Sequence, residues 1–189
     1  SIVFLEDSTG SLTSMDNIVG DVDDDFAALD IMFSGHDSVS TTIVGNAAIF
    51  SAPENWNGSG SMVLSVIDTS GAEAIEEFDI VVVPVNDPPW TFALIAPEDG
   101  TTVDTSFVEF FWEDAIDIDE NDHLVYTVSV SENEDLSQPI LIAEDLDDNA
   151  YLWDNVPLNT YYWSVEVQDL EGEIAYSSVQ TFQVDYVMG

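Results

Sequence analysis

Short runs in which apolar and polar residues alternate recur along almost the whole chain. Phe78, Ile80 and Val82 follow one another at every second position, which is the pattern of a half-buried β-strand. Further runs are Ile2–Leu5, Leu29–Phe33, Ala47–Phe50, Met62–Ile67, Val108–Trp112, Tyr126–Ser131, Ile140–Ala143, Tyr161–Gln168 and Thr181–Val184. Turn residues separate them: Ser34-Gly35, Val44-Gly45-Asn46, Asn57-Gly58-Ser59-Gly60, Ser70-Gly71 and Glu98-Asp99-Gly100. The spacing predicts an all-β chain built of β-sandwiches, without an amphipathic helix.

The sequence Val85-Asn86-Asp87-Pro88-Pro89 divides the chain into two parts of similar length. Two consecutive prolines cannot continue a strand ladder, because they lack the N–H groups that the ladder uses. Each part has the usual size of a small β-sandwich. We therefore expect two tandem domains, 1–88 and 89–189.

The charge of the chain excludes several functions. It has 39 Asp and Glu and no Lys or Arg, which gives a formal net charge of −39 at pH 7. Such a chain lacks the cations that bind nucleic-acid phosphates, and anionic membrane surfaces would repel it. No apolar run approaches 18 residues, so no membrane insertion is expected, and zero Cys excludes disulfides and thiolate metal sites.

A hydrophobic content of 46% nevertheless predicts a folded protein. Its self-repulsion must then be offset, either diffusely by salt or at particular points by divalent cations. In the first half, acidic residues gather where the predicted strands end: Glu6-Asp7, Asp21-Val-Asp23-Asp24-Asp25, Asp68 and Asn86-Asp87. Calcium takes six to eight oxygen ligands of the kind that Asp, Glu and Asn provide. Each group alone is also compatible with an ordinary acidic loop.

Residues 1–88 resemble bacterial cadherin-like repeats of large surface proteins. The matching segments are Leu5-Glu6-Asp7, Asp21-Val-Asp23-Asp24, Pro53-Glu-Asn-Trp56-Asn57-Gly58, Asp68-Thr-Ser-Gly71 and Val85-Asn86-Asp87-Pro88-Pro89. The resemblance implies a Greek-key, immunoglobulin-like sandwich with calcium (Ca2+) near the junction with the neighbouring domain. By position, the implied ligands are Glu6, Asp21, Asp23, Asp68 and Asp87, with the Asn86 carbonyl as a further candidate.

Residues 90–189 resemble fibronectin type III-like modules of bacterial secreted proteins. The matching segments are Pro97-Glu-Asp-Gly100, Phe110-Phe-Trp112, Leu124-Val-Tyr126-Thr-Val128, Leu158-Asn-Thr160-Tyr161-Tyr162-Trp163-Ser-Val165, Asp169-Leu-Glu-Gly172 and Phe182. The resemblance implies a second sandwich that serves as a spacer or binding scaffold. Trp112 and Trp163 are expected in its core, and Tyr161 is expected to donate its hydroxyl to the backbone at a strand corner.

One acidic loop of the second half has metal-like spacing. Asp117, Asp119, Asn121 and Asp122 follow the start of an EF-hand loop, but the sixth-position Gly and the twelfth-position Glu are missing. The loop is therefore either a second, weaker calcium site or a solvated acidic turn. The run Glu144-Asp145-Leu-Asp147-Asp148 fits a solvated or edge-protecting surface better than a cation site.

The sequence shows no arrangement typical of catalysis. It contains neither a nucleophile-elbow motif nor a phosphate-binding Gly loop, and His36 and His123 fall in different predicted domains. Both histidines are expected at the surface or in loops rather than as ligands. Trp56, Trp90 and Trp153 could stack on sugars if exposed, although core packing is favoured for Trp56. We expect a protein that is not an enzyme.

These observations favour a structural or adhesive module of an extracellular or cell-surface protein, made rigid by calcium. Its partners would be calcium, neighbouring domains or copies of itself in a fibre, and a glycan or protein adhesion target. The terminal segments Ser1–Leu5 and Thr181–Val187 could each add a strand to another subunit, or simply pair within their own domains, which is favoured. Since the sequence starts at Ser1 without a basic segment, any signal peptide is expected to have been removed or to lie outside it.

Two other interpretations remain open. The chain could be an accessory carbohydrate-binding or spacer part of a secreted polysaccharide-degrading enzyme, which requires an exposed Trp or Tyr platform. Alternatively, its acidity could reflect a high-salt habitat alone. Stability would then respond to molar NaCl or KCl and hardly to millimolar calcium.

Overall fold

The computed structural model describes residues 1–119 and 123–186, and its regular structure is all-β. The chain divides into two compact units, Ser1–Val85 (unit 1) and Asn86–Gly189 (unit 2). Asn86 and Asp87 thus belong with the second unit, whereas the sequence placed them at the end of the first. Their contacts explain this, since the Asn86 side chain donates to Asp169 and the Asp87 backbone N–H donates to Asp119.

Unit 1 is a sandwich of two sheets. Its strands are β1 (Ile2–Leu5), β2 (Thr9–Leu12), β3 (Asp30–Ser34), β4 (Ser40–Val44), β5 (Ala47–Ser51), β6 (Gly58–Ile67) and β7 (Glu73–Val83). One sheet has the order β1-β7-β6-β3 and the other β2-β5-β4. β1 runs parallel to β7, and the remaining pairs are antiparallel. Two 3₁₀ turns, Met15–Asn17 and Phe26–Ala28, lie in the long connection between β2 and β3.

The core of unit 1 lies between these sheets, where the alternate residues of β7 meet Phe50 of the facing sheet. Phe50 and Ile80 are fully buried, and the Phe50 ring makes edge-to-face contacts with Phe33 and Phe78. Such contacts stabilise aromatic pairs by about 0.5–1.5 kcal/mol beyond area burial. The period-two pattern of the sequence thus correctly identified the inward face of β7.

Unit 2 is a second sandwich. Its strands are β8 (Leu94–Ala96), β9 (Thr101–Val103), β10 (Phe107–Trp112), β11 (Val125–Ser131), β12 (Leu141–Leu146), β13 (Ala150–Asp154), β14 (Asn159–Gln168), β15 (Ile174–Tyr176) and β16 (Gln180–Val184). One sheet has the order β13-β10-β8, and the other β12-β11-β14-β16-β9 with β15 paired to β14. Trp112 and Trp163 are fully buried between the sheets, as the sequence predicted.

Tyr161 forms the expected corner bond of unit 2. It is 1% exposed, and its hydroxyl donates to the Pro157 carbonyl over 2.9 Å. Burial, followed by the charge of Glu132 and the neighbouring Tyr186, raises the pKa of Tyr161. The hydroxyl therefore stays protonated and keeps donating well into the alkaline range.

Both terminal strands complete the sheets of their own units. β1 pairs with β7, and β16 lies between β14 and β9. The prediction that Ser1–Leu5 and Thr181–Val184 pair within their own domains is confirmed, whereas Val187 lies outside the described residues. The backbone groups of these strands are already paired within their own units. Adding either strand to another subunit would therefore first require opening a sheet.

Candidate functional site

The acidic residues of unit 1 that were grouped as calcium ligands are divided between the two ends of the unit. The Glu6 N–H donates to the carbonyl of Val83, at the end of β7. The Asp68 N–H donates to Ala72, which precedes the start of β7. A strand rises about 3.3 Å per residue, so the eleven residues of β7 separate these ends by roughly 33 Å. The prediction that Glu6 and Asp68 share one ion is therefore wrong.

Glu6 has a structural role that its position in the sequence did not show. Its side chain is 3% exposed, and its two carboxylate oxygens accept from the Val85 N–H (2.6 Å) and from the Asn57 amide (3.2 Å). A buried carboxylate needs such donors, because desolvation of an unpaired charge is costly. Glu6 thus ties the last residue of unit 1 to the segment that leads into β6.

Asp21 and Asp68 meet at the opposite end of unit 1. Both line a cavity of about 150 Å³. Asp21 accepts from the backbone N–H groups of Asp23 (2.8 Å) and Asp24 (3.1 Å), and Asp24 in turn accepts from the N–H and hydroxyl of Thr69. Hydrogen bonds from the Ser70 hydroxyl and the Ala72 N–H lower the pKa of Asp68. These bonds order two loops, and Asp23 itself is exposed.

Asp24 is the residue of this loop that sequence reasoning missed. It belongs to the Asp21–Asp25 run, but the tie to Thr69 spans 45 positions of the chain. A local acidic pattern cannot indicate such a partner. Only the pairing of β3 with β6 brings the loop and the hairpin turn together.

In unit 2, residues from two separately predicted sites lie close together, namely Asp87 of the first site and Asp117 and Asp119 of the EF-hand-like loop. The Asp87 N–H donates to the Asp119 carboxylate over 2.8 Å, and the Asp119 N–H donates to the Asp117 carboxylate over 2.9 Å. A carboxylate oxygen of Asp87 lies within 4.8 Å of one of Asp119. All three residues are partly buried. Asn121 and Asp122, which were assigned to the same loop, lie outside the described residues.

Asp169 anchors the segment that carries Asp87. It is 5% exposed and accepts from the Asn86 amide (2.8 Å) and from the N–H groups of Gly172 (2.6 Å) and Glu173 (2.7 Å). Burial by itself would raise the pKa of Asp169, but the hydrogen bonds from Asn86 and the backbone outweigh it and hold the pKa below the ordinary value. In the sequence, Asp169-Leu-Glu-Gly172 was a segment of the resemblance to fibronectin type III-like modules, and no anchoring role was predicted for it.

The Asp87, Asp117 and Asp119 set fits a hard divalent cation chemically. Carboxylate and backbone oxygens are the ligands that calcium prefers, and close carboxylates repel each other unless a cation offsets their charge. All three residues are only partly buried, so solvent can supply further oxygen ligands. This unit 2 cluster offers the oxygen ligands that a calcium ion takes.

The two histidines lie in different units. His36 is half-buried, its Nδ1 accepts from the N–H groups of Ser38 and Val39, and its ring contacts that of Trp56. His123 is exposed and its Nε2 lies 3.2 Å from the Asp147 carboxylate. Both therefore occupy surface or loop positions, as the sequence predicted.

The Glu144–Asp148 run protects an edge. β12 is the outermost strand of its sheet, and Glu144 and Asp145 on it are exposed. Charges on an edge strand oppose pairing with another chain. The interpretation as an edge-protecting surface agrees with this placement.

The tryptophans do not share one surface platform. Trp112 and Trp163 are buried, while Trp56 and Trp153 pack partly against the cores of unit 1 and unit 2. Trp90 is 53% exposed. Core packing is thus confirmed for Trp56 and found for Trp153, and Trp90 is the one Trp with a largely exposed ring among the described residues.

No protein-family model and no curated protein matches the chain. Solved structures do match. EC1-2 of human mucin-like protocadherin is 14% identical, with 99% of this chain and 98% of that chain covered and a TM-score of 0.45. The fibronectin(III)-like modules of Clostridium thermocellum CbhA are 14% identical, with 97% and 88% covered and a TM-score of 0.37.

A third match is an alpha-L-rhamnosidase of Streptomyces avermitilis, 19% identical over 51% of this chain, with a TM-score of 0.40. This chain spans only 10% of that enzyme's length. Cadherin and fibronectin type III domains are thus both among the matched structures, as the sequence resemblance predicted. At these identities and scores the matches carry no conclusion about function. No helix among the described residues is long and apolar enough to cross a membrane.

Proposed function

We propose that this chain is a non-enzymatic, calcium-binding structural or adhesive module of an extracellular or cell-surface protein. The observation that supports it best is the carboxylate cluster of Asp87, Asp117 and Asp119 in unit 2, which backbone hydrogen bonds hold together. Bringing these anions together is unfavourable in a chain of net charge −39 that has no Lys or Arg to pair with them. A bound divalent cation would remove that repulsion.

Calcium would act here as a structural ion. It would fix the segment that carries Asp87 against the loop of Asp117 and Asp119, so that the start of unit 2 becomes rigid. The neighbours of such a module would be further domains, further copies of the chain or an adhesion target. That the ligands lie at a junction of two sandwiches stays a prediction.

A thermal melt with and without calcium tests the proposal. Trp56 is the only Trp of unit 1, so a Trp56→Phe background reports the unfolding of unit 2 alone by Trp fluorescence. A ligand of the native state at 100 times its Kd adds about 2.7 kcal/mol. We expect millimolar CaCl₂ to raise the Tm of unit 2 by several degrees over EDTA at matched ionic strength.

A pair of charge-matched variants locates the ion. Asp119→Asn should remove most of the calcium-dependent gain in Tm, because the amide is a weaker ligand for a hard cation. Asp104→Asn removes the same charge at an exposed position of unit 2 outside the cluster and should keep the gain. Equal gains in both variants, or no gain in the unsubstituted chain, would contradict the site. The same titration of Glu6→Gln tests whether Glu6 contributes as well.

A glycan-binding role is the second candidate, and the exposed ring of Trp90 is the observation that favours it. One ring provides less than the platform of several aromatic residues that this role requires. Glycan-array binding that Trp90→Ala abolishes would support it. An array without signal, together with Trp90 fluorescence that a soluble quencher does not reduce, would eliminate this role.

A further inference from the structure

The inside-outside burial pattern of β7 stops near its start, where Glu73 to Glu77 are all exposed. Phe78, Ile80 and Val82 face the core of unit 1, so the period of two places Glu76 and Ala74 on the same inward face and Ile75 on the outer face. Ile75 is 62% exposed. A strand of a two-layer sandwich normally carries the apolar residue inside and the carboxylate outside. Glu76 thus lies on the core-facing side of β7, beyond the residues that the core buries.

The inward face of this part of the sheet borders a cavity. β6 and β7 have 10 and 11 residues, whereas the strands of the facing sheet have 4 or 5. Residues Ile18–Gly20 of the connection between β2 and β3 line the cavity together with Leu64 and Val66 of β6 and residues 74–76 of β7. The cavity measures about 440 Å³, which lies within the range of about 300–1,000 Å³ typical of small-molecule sites.

The lining combines an apolar wall with one negative charge. In the register of β6 and β7, Leu64 lies opposite Glu76 and Val66 lies opposite Ala74. Val19 adds a further apolar side chain, and Glu76 is the one charged residue of the lining. The chain has no Lys or Arg that could neutralise this carboxylate. A ligand that matches this cavity therefore has an apolar part and one positive charge.

We propose that this cavity binds a hydrophobic cation, that is, a small molecule with an alkyl or ring body and one ammonium group. The body packs against Leu64, Val66 and Val19, and the ammonium group pairs with Glu76. The net charge of −39 raises the local concentration of any cation around the protein. The apolar wall then selects cations with a hydrocarbon part. This binding is separate from the calcium cluster of unit 2.

The probe is n-octylammonium, titrated into the full chain in 150 mM NaCl with EDTA and followed by methyl NMR. We expect saturable shifts of the Leu64 and Val66 methyl groups. 1-Octanol has the same body without the charge and should bind about tenfold more weakly. Saturable shifts that leave Leu64 and Val66 unaffected would overturn the proposal.

Adjacent residues of β7 supply a matched pair of variants. Glu76→Gln should weaken octylammonium binding about tenfold, whereas Glu77→Gln removes the same charge on the opposite face and should change it less than twofold. Equal effects of the two substitutions would mean diffuse attraction to the acidic surface and would overturn the site. Ala74→Leu narrows the cavity and should weaken the binding of both probes. A folded Ala74→Leu variant that binds both probes as tightly as the unsubstituted chain would equally refute the proposal.

Discussion

At the scale of single residues, the Tyr161 hydroxyl is a measurable contribution to unit 2. It is almost fully buried and donates to Pro157 at 2.9 Å. Tyr161→Phe removes this bond and leaves the Pro157 carbonyl without its donor, which should cost about 0.5–1.5 kcal/mol. Urea unfolding of unit 2, followed by Trp fluorescence in the Trp56→Phe background, measures the loss. Tyr162→Phe, on the opposite face of β14, should change stability by less than 0.5 kcal/mol, roughly the range for surface substitutions.

The pKa of Tyr161 gives this prediction a pH dependence. Since the folded-state pKa is raised above the unfolded value, the contribution is fully present below the unfolded pKa of about 10 and is lost as pH rises through the folded pKa. Stability above pH 10 should therefore fall more steeply in the unsubstituted chain than in Tyr161→Phe. Parallel pH profiles of the two proteins would contradict the hydrogen bond.

At the scale of elements, the segment Asn57-Gly58-Ser59-Gly60 shows that glycine in a sequence does not always mark a turn. The sequence predicted a turn, but Gly58–Gly60 begin β6. A Cβ on Gly60 would lie 2.6 Å from Cδ2 of His36, and one on Gly58 would lie 3.0 Å from the Trp56 ring. The glycines let two rings lie directly on the strand. Their role is close packing, which a turn propensity cannot distinguish from a reversal of the chain.

Gly60→Ala should therefore destabilise unit 1 by about 1–3 kcal/mol, the usual cost of overpacking. The His36 ring cannot simply move aside, because its Nδ1 accepts two backbone N–H groups at 3.2 Å. Calorimetry measures the effect on the transition of unit 1, and Trp fluorescence in the Trp56→Phe background identifies the transition of unit 2. In a His36→Ala background the same substitution should be neutral or stabilising. Additive effects of the two substitutions would show that the ring is not the obstacle.

The strands themselves were largely predictable, and the acidic site only in part. Alternation located Ile2–Leu5 at its observed bounds, because that strand has one buried face. Several short strands were missed, since three to five residues such as Thr-Gly-Ser-Leu show no clear period. These strands are Thr9–Leu12, Ser40–Val44, Leu94–Ala96, Thr101–Val103, Ala150–Asp154 and Ile174–Tyr176. The acids were correctly placed at strand ends. The end of the sandwich at which each acid lies was not predictable from the sequence. The antiparallel pairing of β6 with β7 puts Asp68 and Glu6 at opposite ends of β7.

At the scale of the whole molecule, self-repulsion of the net charge of −39 should limit stability at low salt. The Debye length is about 30 Å at 0.01 M and about 8 Å at 0.15 M. Raising NaCl from 10 to 150 mM should therefore raise the Tm of both units, because each has an acidic surface that no Lys or Arg neutralises. Calorimetry in EDTA, with Trp56→Phe fluorescence to assign the transitions, measures this diffuse effect alone.

Calcium at the same ionic strength separates a specific site from screening. Since the carboxylate cluster of Asp87 and Asp119 belongs to unit 2, the further gain from CaCl₂ should appear in the transition of unit 2 and should saturate. Screening has neither property, because it acts on both units and grows continuously with salt. A gain that is equal in the two transitions, or one that molar KCl reproduces in full, would mean that the acidity adapts the chain to salt. Asp119→Asn should leave the response to NaCl unchanged while it removes the saturable part.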